Sequence, residues 1–209
     1  MKKIMLFTML IVMVFSSSLL AEEAVVDIHK NNSTEIQFQI ESFKQDNKDI
    51  QNLQLAILKL QPKQTPLVAI IIATRTWNEC KKKIIDPELM IGLMFVESSL
   101  KPLQESSKGA IGLMQVRYSI WKEEPELKDN GVTARDHLFW IDENIKAGTD
   151  IFKKYYEESG RDIGMTLYRY NTGSKKLPEK TNVTDIKYVN NILYHAYRVR
   201  QIIIEEGNK

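Results

Sequence analysis

Asp86-Pro-Glu-Leu-Met-Ile-Gly-Leu-Met-Phe-Val-Glu-Ser-Ser99 decides the fold class. Asp86 is a capping acid, Pro87 suits the first helical position, and Glu88 adds a second acid near the positive end of the helix dipole. Leu89–Val96 is then apolar on every side, as in a helix buried all round. A buried strand would carry the same run, but Met, Leu and the strong cap favour helix. Pro102 marks the exit.

Working outward, the pattern stays helical. Thr34–Leu60 reads as mostly helix, with Leu53, Ile57 and Leu60 at helical spacing. Residues 61–66 form a linker, after which Thr65 caps a helix with Pro66 at its first position and an apolar stripe of Leu67, Ile70, Ile71 and Trp77. Lys101–Val116 reads as a loop region containing Gly109 and Gly112. Asp142–Glu158 is amphipathic, with Ile145, Gly148, Phe152 and Tyr155 on one face. Asp162–Tyr170 is a short helix stopped by Asn171-Thr-Gly173. Asp185–Glu205 is the last helix, with Ile186, Val189, Leu193, Ala196, Val199 and Ile203 inward. The expectation is an all-α fold divided into a leader (1–21), a partly helical N-terminal extension (22–65) and a helical domain (66–209).

Composition narrows the function. The 9 Gly and 6 Pro are too few for a turn-rich all-β chain. One Cys excludes an internal disulfide framework, and three scattered His give no zinc-binding pair, so neither a metal nor a cofactor is expected. Cys80 reads as buried and unreactive. Lys2 and Lys3 account for the formal charge of +2, so the remainder is neutral and gives no case for nucleic-acid binding.

Met1–Ala21 has the pattern of a secretory signal: Lys2-Lys3, the apolar run Ile4–Phe15, then Ser16–Ser18 and Ala21. Twelve helical residues span about 18 Å, short of the roughly 30 Å hydrocarbon core, which favours cleavage; an uncleaved anchor over Ile4–Leu20 is the alternative, and only then would the protein be held at a membrane. Either way the function is expected outside the cytoplasm.

Glu97 is the anomaly of the chain. Desolvation by Met94, Phe95 and Val96 and the negative end of the helix dipole both raise a carboxyl pKa, and an acid still protonated near neutral pH can act as a general acid. The alternative is that Glu97 simply marks where a buried helix meets water.

The surrounding blocks bear on that choice. Glu97-Ser98-Ser99 is followed by Gly109-Ala-Ile-Gly112-Leu-Met114-Gln115, then Asn144-Ile-x-x-Gly148, Tyr170-Asn171 and Tyr188-Val189. In order and spacing these segments resemble the soluble lytic transglycosylase (SLT) catalytic domain of the goose-type-lysozyme-like superfamily, over about Ile84 to Val199. The resemblance implies a lysozyme-like helical domain that cleaves the β-1,4 bond between N-acetylmuramic acid and N-acetylglucosamine in peptidoglycan and leaves a 1,6-anhydro-muramyl product. It implies an exported protein of the bacterial periplasm or cell envelope, with glycan strands as substrate and envelope or secretion-apparatus proteins as partners to consider.

Residue roles follow from the same resemblance. Glu97 would be the catalytic acid and then the base on the muramyl 6-hydroxyl. Gln115 would hydrogen-bond the sugar. Met114 would offer an apolar shelf to a sugar face or else sit in the core. Ser98 and Ser99 would bond Glu97 or the substrate, or else cap the helix. Tyr170 and Asn171 would line the groove. Tyr188 would hydrogen-bond Glu97 or the reacting sugar, or else be a core aromatic. Arg169 and Thr172 replace the family's usual alanines, with Arg169 expected in solvent, and Leu138-Phe-Trp-Ile141 replaces Leu-Phe-Asp-Pro. No second carboxylate stands in the matched blocks; Asp86, Glu105 and Asp142 are the nearest without a motif to place them. Two rival readings remain at this stage: a muramidase-type hydrolase on the same fold, and a catalytically idle wall-binding module.

Overall fold

The computed structural model describes residues 33–173 and 186–207. The leader expected over 1–21 and the part of the extension before Ser33 lie outside the described residues. The chain separates into two compact units, Met1–Asn47 and Lys48–Lys209. In the first, the described residues are helical, with Lys44 paired to Glu41 at 3.2 Å. The second holds the core and everything that follows.

The elements are α1 (Ser33–Leu60), α2 (Pro66–Lys83), α3 (Pro87–Ser98), a two-stranded hairpin β1 (Ala110–Ile111) and β2 (Val116–Arg117), short α4 (Tyr118–Trp121) and α5 (Pro125–Lys128), a 3-10 turn at Arg135–Phe139, α6 (Ile141–Glu158), α7 (Ile163–Thr172) and α8 (Lys187–Gly207). The fold is all-α apart from the hairpin, in which Ala110 pairs with Arg117 and Ile111 with Val116. That hairpin falls where the sequence suggested only loop. Its strands are two residues each, too short for a period-2 pattern to register. The core-bearing unit also takes in the second half of α1, where Leu53, Ala56 and Ile57 are buried. No helix among the described residues is long and apolar enough to cross a membrane.

The starts of α2 and α3 form as their caps require. The Thr65 side chain accepts from the Val68 N–H, and Asp86 Oδ1 accepts from the Glu88 N–H at 2.8 Å. The inward face of α2 differs from the expected stripe. Ala69, Ile72, Ala73, Thr76 and Cys80 are buried, whereas Leu67 is 69% exposed. Small side chains let α2 lie close to its neighbours, and that closeness outweighs the burial of one large residue. Lys83 fastens α2 to α6: its Nζ lies 2.6 Å from Glu79 Oε2, 3.0 Å from Asp150 Oδ1 and 3.0 Å from Thr149 Oγ1. Burial pushes the Glu79 carboxyl up, but the bonds from Lys82 and Lys83 outweigh it and hold the group below its ordinary value.

The most extensive helix contact is between α3 and α8, which run antiparallel. Arg200 on α8 reaches Glu88 at 2.5 Å and Asp86 at 3.1 Å, at the start of α3. At mid-length Gly92 meets the α8 backbone: a Cβ there would stand 2.7 Å from Ala196 N and 2.9 Å from Ile192 O. This contact sets the rotation of α8. Val189, Ile192, Val199 and Ile202 are buried, and Leu193, expected inward, is 39% exposed. We expect Gly92→Ala to force these helices apart and to lower stability by about 2 kcal/mol, in the usual range for overpacking, measured by urea unfolding. A change below about 0.5 kcal/mol would show that the contact yields freely.

Candidate active site

Glu97 occupies the last turn of α3 because the helix is arrested just beyond it. Ser99 and Leu100 both take left-handed backbone conformations, φ 53° and 59°. Their N–H groups return to Phe95 O at 2.8 Å and Met94 O at 3.3 Å, closing the helix end. Ser98 faces the core, with its hydroxyl 2.9 Å from Met94 O and 2.8 Å from Leu113 O. That places Glu97, one position earlier, at the edge of the core and half-buried.

Tyr188, on the first turn of α8, donates its hydroxyl hydrogen to Glu97 Oε1. Desolvation raises the Glu97 carboxyl above its ordinary value, and the Tyr188 bond offsets only part of that rise. Burial first, and then the Glu97 charge, hold both the Tyr188 and Tyr170 phenols well above their usual range. Tyr170 lies on α7 and donates to Met114 O at 2.9 Å. Three helices thus bring Glu97, Tyr188 and Tyr170 together.

Among the described residues no lysine or arginine pairs with Glu97. The three other carboxylates near it in sequence or pattern are engaged elsewhere. Asp86 caps α3 and lies 3.1 Å from Arg200 Nη2, Glu105 pairs with Arg135, and Asp142 lies 2.6 Å from Arg75 Nε. No cluster of three metal-binding side chains occurs among the described residues.

The glycine-rich block and α6 interlock. Gly112 has φ 79°, and a Cβ there would sit 2.1 Å from Asn144 Nδ2. Asn144 is buried and fully bonded: Nδ2 donates to Ile111 O and Leu138 O, each at 2.8 Å, and Oδ1 accepts from the Met114 N–H at 2.8 Å. A Cβ on Gly148 would sit 2.4 Å from Met114 Sδ. The sequence marked Asn144 and Gly148 as a block without a role. Their role is to hold the 112–115 loop beside the acid, and the signal was the fixed Asn-x-x-x-Gly spacing on one helical face.

The other residues expected to meet ligand lie as follows. Met114 is 0% exposed and is a core methionine; the close pass of Gly148 draws it inward. Ser98 is spent on backbone carbonyls. Ser99 closes the helix. The Gln115 amide nitrogen lies 3.2 Å from Gln104 O and 3.0 Å from Gly112 O, bracing the loop with its own backbone at φ 51°. Asn171 is exposed at the end of α7. Arg169 is not in open solvent: its side chain is 15% exposed and 3.6 Å from Glu158. Trp140, which stands where an Asp was expected, is 54% exposed and stacks on His137 at 4.4 Å.

The fold and site define a helical domain that carries a desolvated acid, Glu97, in the last turn of its most buried helix. The family profile described as the transglycosylase SLT domain matches residues 76–191, more than half of the chain, and the chain belongs to that family. The family is one of lytic transglycosylases, which act on peptidoglycan. Comparisons with curated proteins and with solved structures give no significant match.

The raised carboxyl has a consequence for stability. Between the ordinary carboxylate range and the raised value, the unfolded chain releases a proton that the folded chain keeps, so stability falls as pH rises through that window. Glu97→Gln removes the titration. Its melting temperature should match the parent's below the ordinary carboxylate range and exceed it by a margin that grows as pH rises through the window and then levels off. A margin independent of pH would show a well-solvated carboxyl.

Proposed function

We propose that this chain is an active lytic transglycosylase that cleaves the N-acetylmuramic acid–N-acetylglucosamine β-1,4 bond and leaves a 1,6-anhydro-muramyl end. The observation that carries the reading is the setting of Glu97: it is desolvated and bonded to Tyr188, and among the described residues burial and that bond are the causes that move its titration. Protonated Glu97 gives its proton to the glycosidic oxygen as the C1–O bond breaks. The substrate's own N-acetyl carbonyl stabilises the developing positive charge at C1. The Glu97 carboxylate, held by Tyr188, then takes the proton of the muramyl 6-hydroxyl as O6 bonds to C1. One carboxyl group serves as acid and then as base, and no water is consumed.

Ordinary glycosidases need a second carboxylate as nucleophile or as base on water. Among the described residues Asp86, Glu105 and Asp142 are each paired with an arginine, and no carboxylate is among the causes that move the titration of Glu97. Effective molarities of about 10⁵ M or more for an oriented intramolecular hydroxyl let ring closure outrun hydrolysis. The leader pattern at residues 1–21 supports action in the periplasm or cell envelope, where such a substrate lies.

Purified peptidoglycan digested with the protein should yield muropeptides one water lighter than reducing-end products, read by mass spectrometry. Reducing ends alone would make the enzyme a muramidase. Glu97→Gln should lower muropeptide release by about 100-fold or more, the usual contribution of general acid–base catalysis; release at the parent rate would show that Glu97 is not the acid, and no release by the parent itself would leave an idle wall-binding module.

Tyr188→Phe should lower kcat by about 10-fold or more, as expected for losing a hydrogen bond to a charged group. It should also move the alkaline limb of the pH profile upward, because the lost bond favoured the carboxylate. An unmoved limb would separate Tyr188 from the titration of the acid.

A further inference from the structure

Ser99 and Leu100 are consecutive residues with side chains in the left-handed region, φ 53° and 59°. Such conformations persist only where the surroundings over-determine them. Part of the constraint is the burial of the Leu100 side chain, which is 0% exposed. The rest comes from a distant part of the chain. Gln61 Nε2 donates to Ser99 O at 2.9 Å, and Gln64 Nε2 donates to Leu100 O at 2.7 Å. Two glutamines three residues apart thus hold the two carbonyls of the turn that ends the Glu97 helix.

The clamp has a rigid base. Gln61 and Gln64 lie between α1 and α2. The Gln61 N–H bonds Ile57 O at 2.8 Å, and the Gln64 N–H bonds Gln61 O at 2.9 Å. Gln54 on α1 reaches Pro66 O at 3.1 Å, tying the end of α1 to the start of α2. Leu53, Ala56 and Ile57 anchor this part of α1 in the core. All these donors precede the family match, which begins at residue 76.

We infer that Gln61 and Gln64 are positioning residues: through the Ser99 and Leu100 carbonyls they fix the turn that aims Glu97, so the segment before the family domain is part of the catalytic apparatus. The kinetic half of this inference rests on the proposed function, and the structural half does not. Leucine approximates the volume of glutamine and removes the donor, so Gln61→Leu, Gln64→Leu and the double variant test it in the full chain.

Amide hydrogen exchange at Ser99 and Leu100 should quicken by about tenfold in the double variant, in line with a net hydrogen-bond contribution, while amides of Ile72 and Ile145 in the core keep the parent rate. On peptidoglycan, kcat should fall about tenfold with KM unchanged, because the acid is misplaced and ground-state binding is not. Parent-like exchange at Ser99 and Leu100 would overturn the clamp. Equal quickening throughout the core would overturn it too, since the glutamines would then be ordinary stabilising residues. Quickened exchange with an unchanged kcat in an active parent would overturn the positioning role. A parent without activity would defeat the proposed function, and exchange would still decide the clamp.

Discussion

The close passage of α3 against α8 at Gly92 is the constraint on which the site depends. Backbone meets backbone there with no room for a methyl group. Two antiparallel helices fixed at their midpoint and at one end, where Arg200 meets Asp86 and Glu88, have little freedom at the other. That other end holds Glu97 and Tyr188. The glutamate–tyrosine bond is therefore an outcome of helix packing more than of local loop geometry. A rigid pair of helices is the better carrier, because a proton donor must be placed to a fraction of an ångström.

The same logic governs the second side of the site. The 112–115 loop has almost no regular structure, yet Asn144 satisfies two of its neighbourhood's carbonyls and one N–H from within α6. A buried amide with every partner in place specifies one arrangement, since any shift strands several polar groups at once. Met114 threads under Gly148 and its carbonyl accepts from Tyr170. The loop thus transmits the placement of α6 to α7, and through the Tyr170 phenol to the surroundings of the acid.

How far the sequence reached depended on whether a feature was local. The Asp86-Pro87 cap, the apolar run Leu89–Val96 and the acid after it are local, and α3 forms there with Leu89–Met94 buried and Phe95 and Val96 only partly so. The inward faces of α2 and α8 were less legible. Periodicity gives a helix and an apolar side, but a neighbour's small residues decide the rotation: Ala69, Ala73 and Thr76 for α2, and Gly92 facing α8. Met114 and Gln115 show a different limit. Their residue types suit ligand contact equally well, and only the position of Gly148 buries Met114, while the Gln104 and Gly112 carbonyls give the Gln115 amide its partners within the chain's own loop. Gln61 and Gln64 had no pattern at all, because a glutamine that serves a carbonyl 36 or more residues away leaves no periodic trace.

The arginine pairs complete the physical picture. A carboxyl near Glu97 would be free to share or repel its charge, and either effect would alter when the acid holds its proton. Asp86, at the far end of α3, Glu105 and Asp142 each face an arginine, and among the described residues burial and one phenol are the causes that move the titration of Glu97. Burial favours the protonated form that a general acid needs, and the Tyr188 hydroxyl favours the carboxylate that a base needs. Their balance leaves a group with access to both states, the physical requirement for a mechanism in which one residue gives a proton and then takes another.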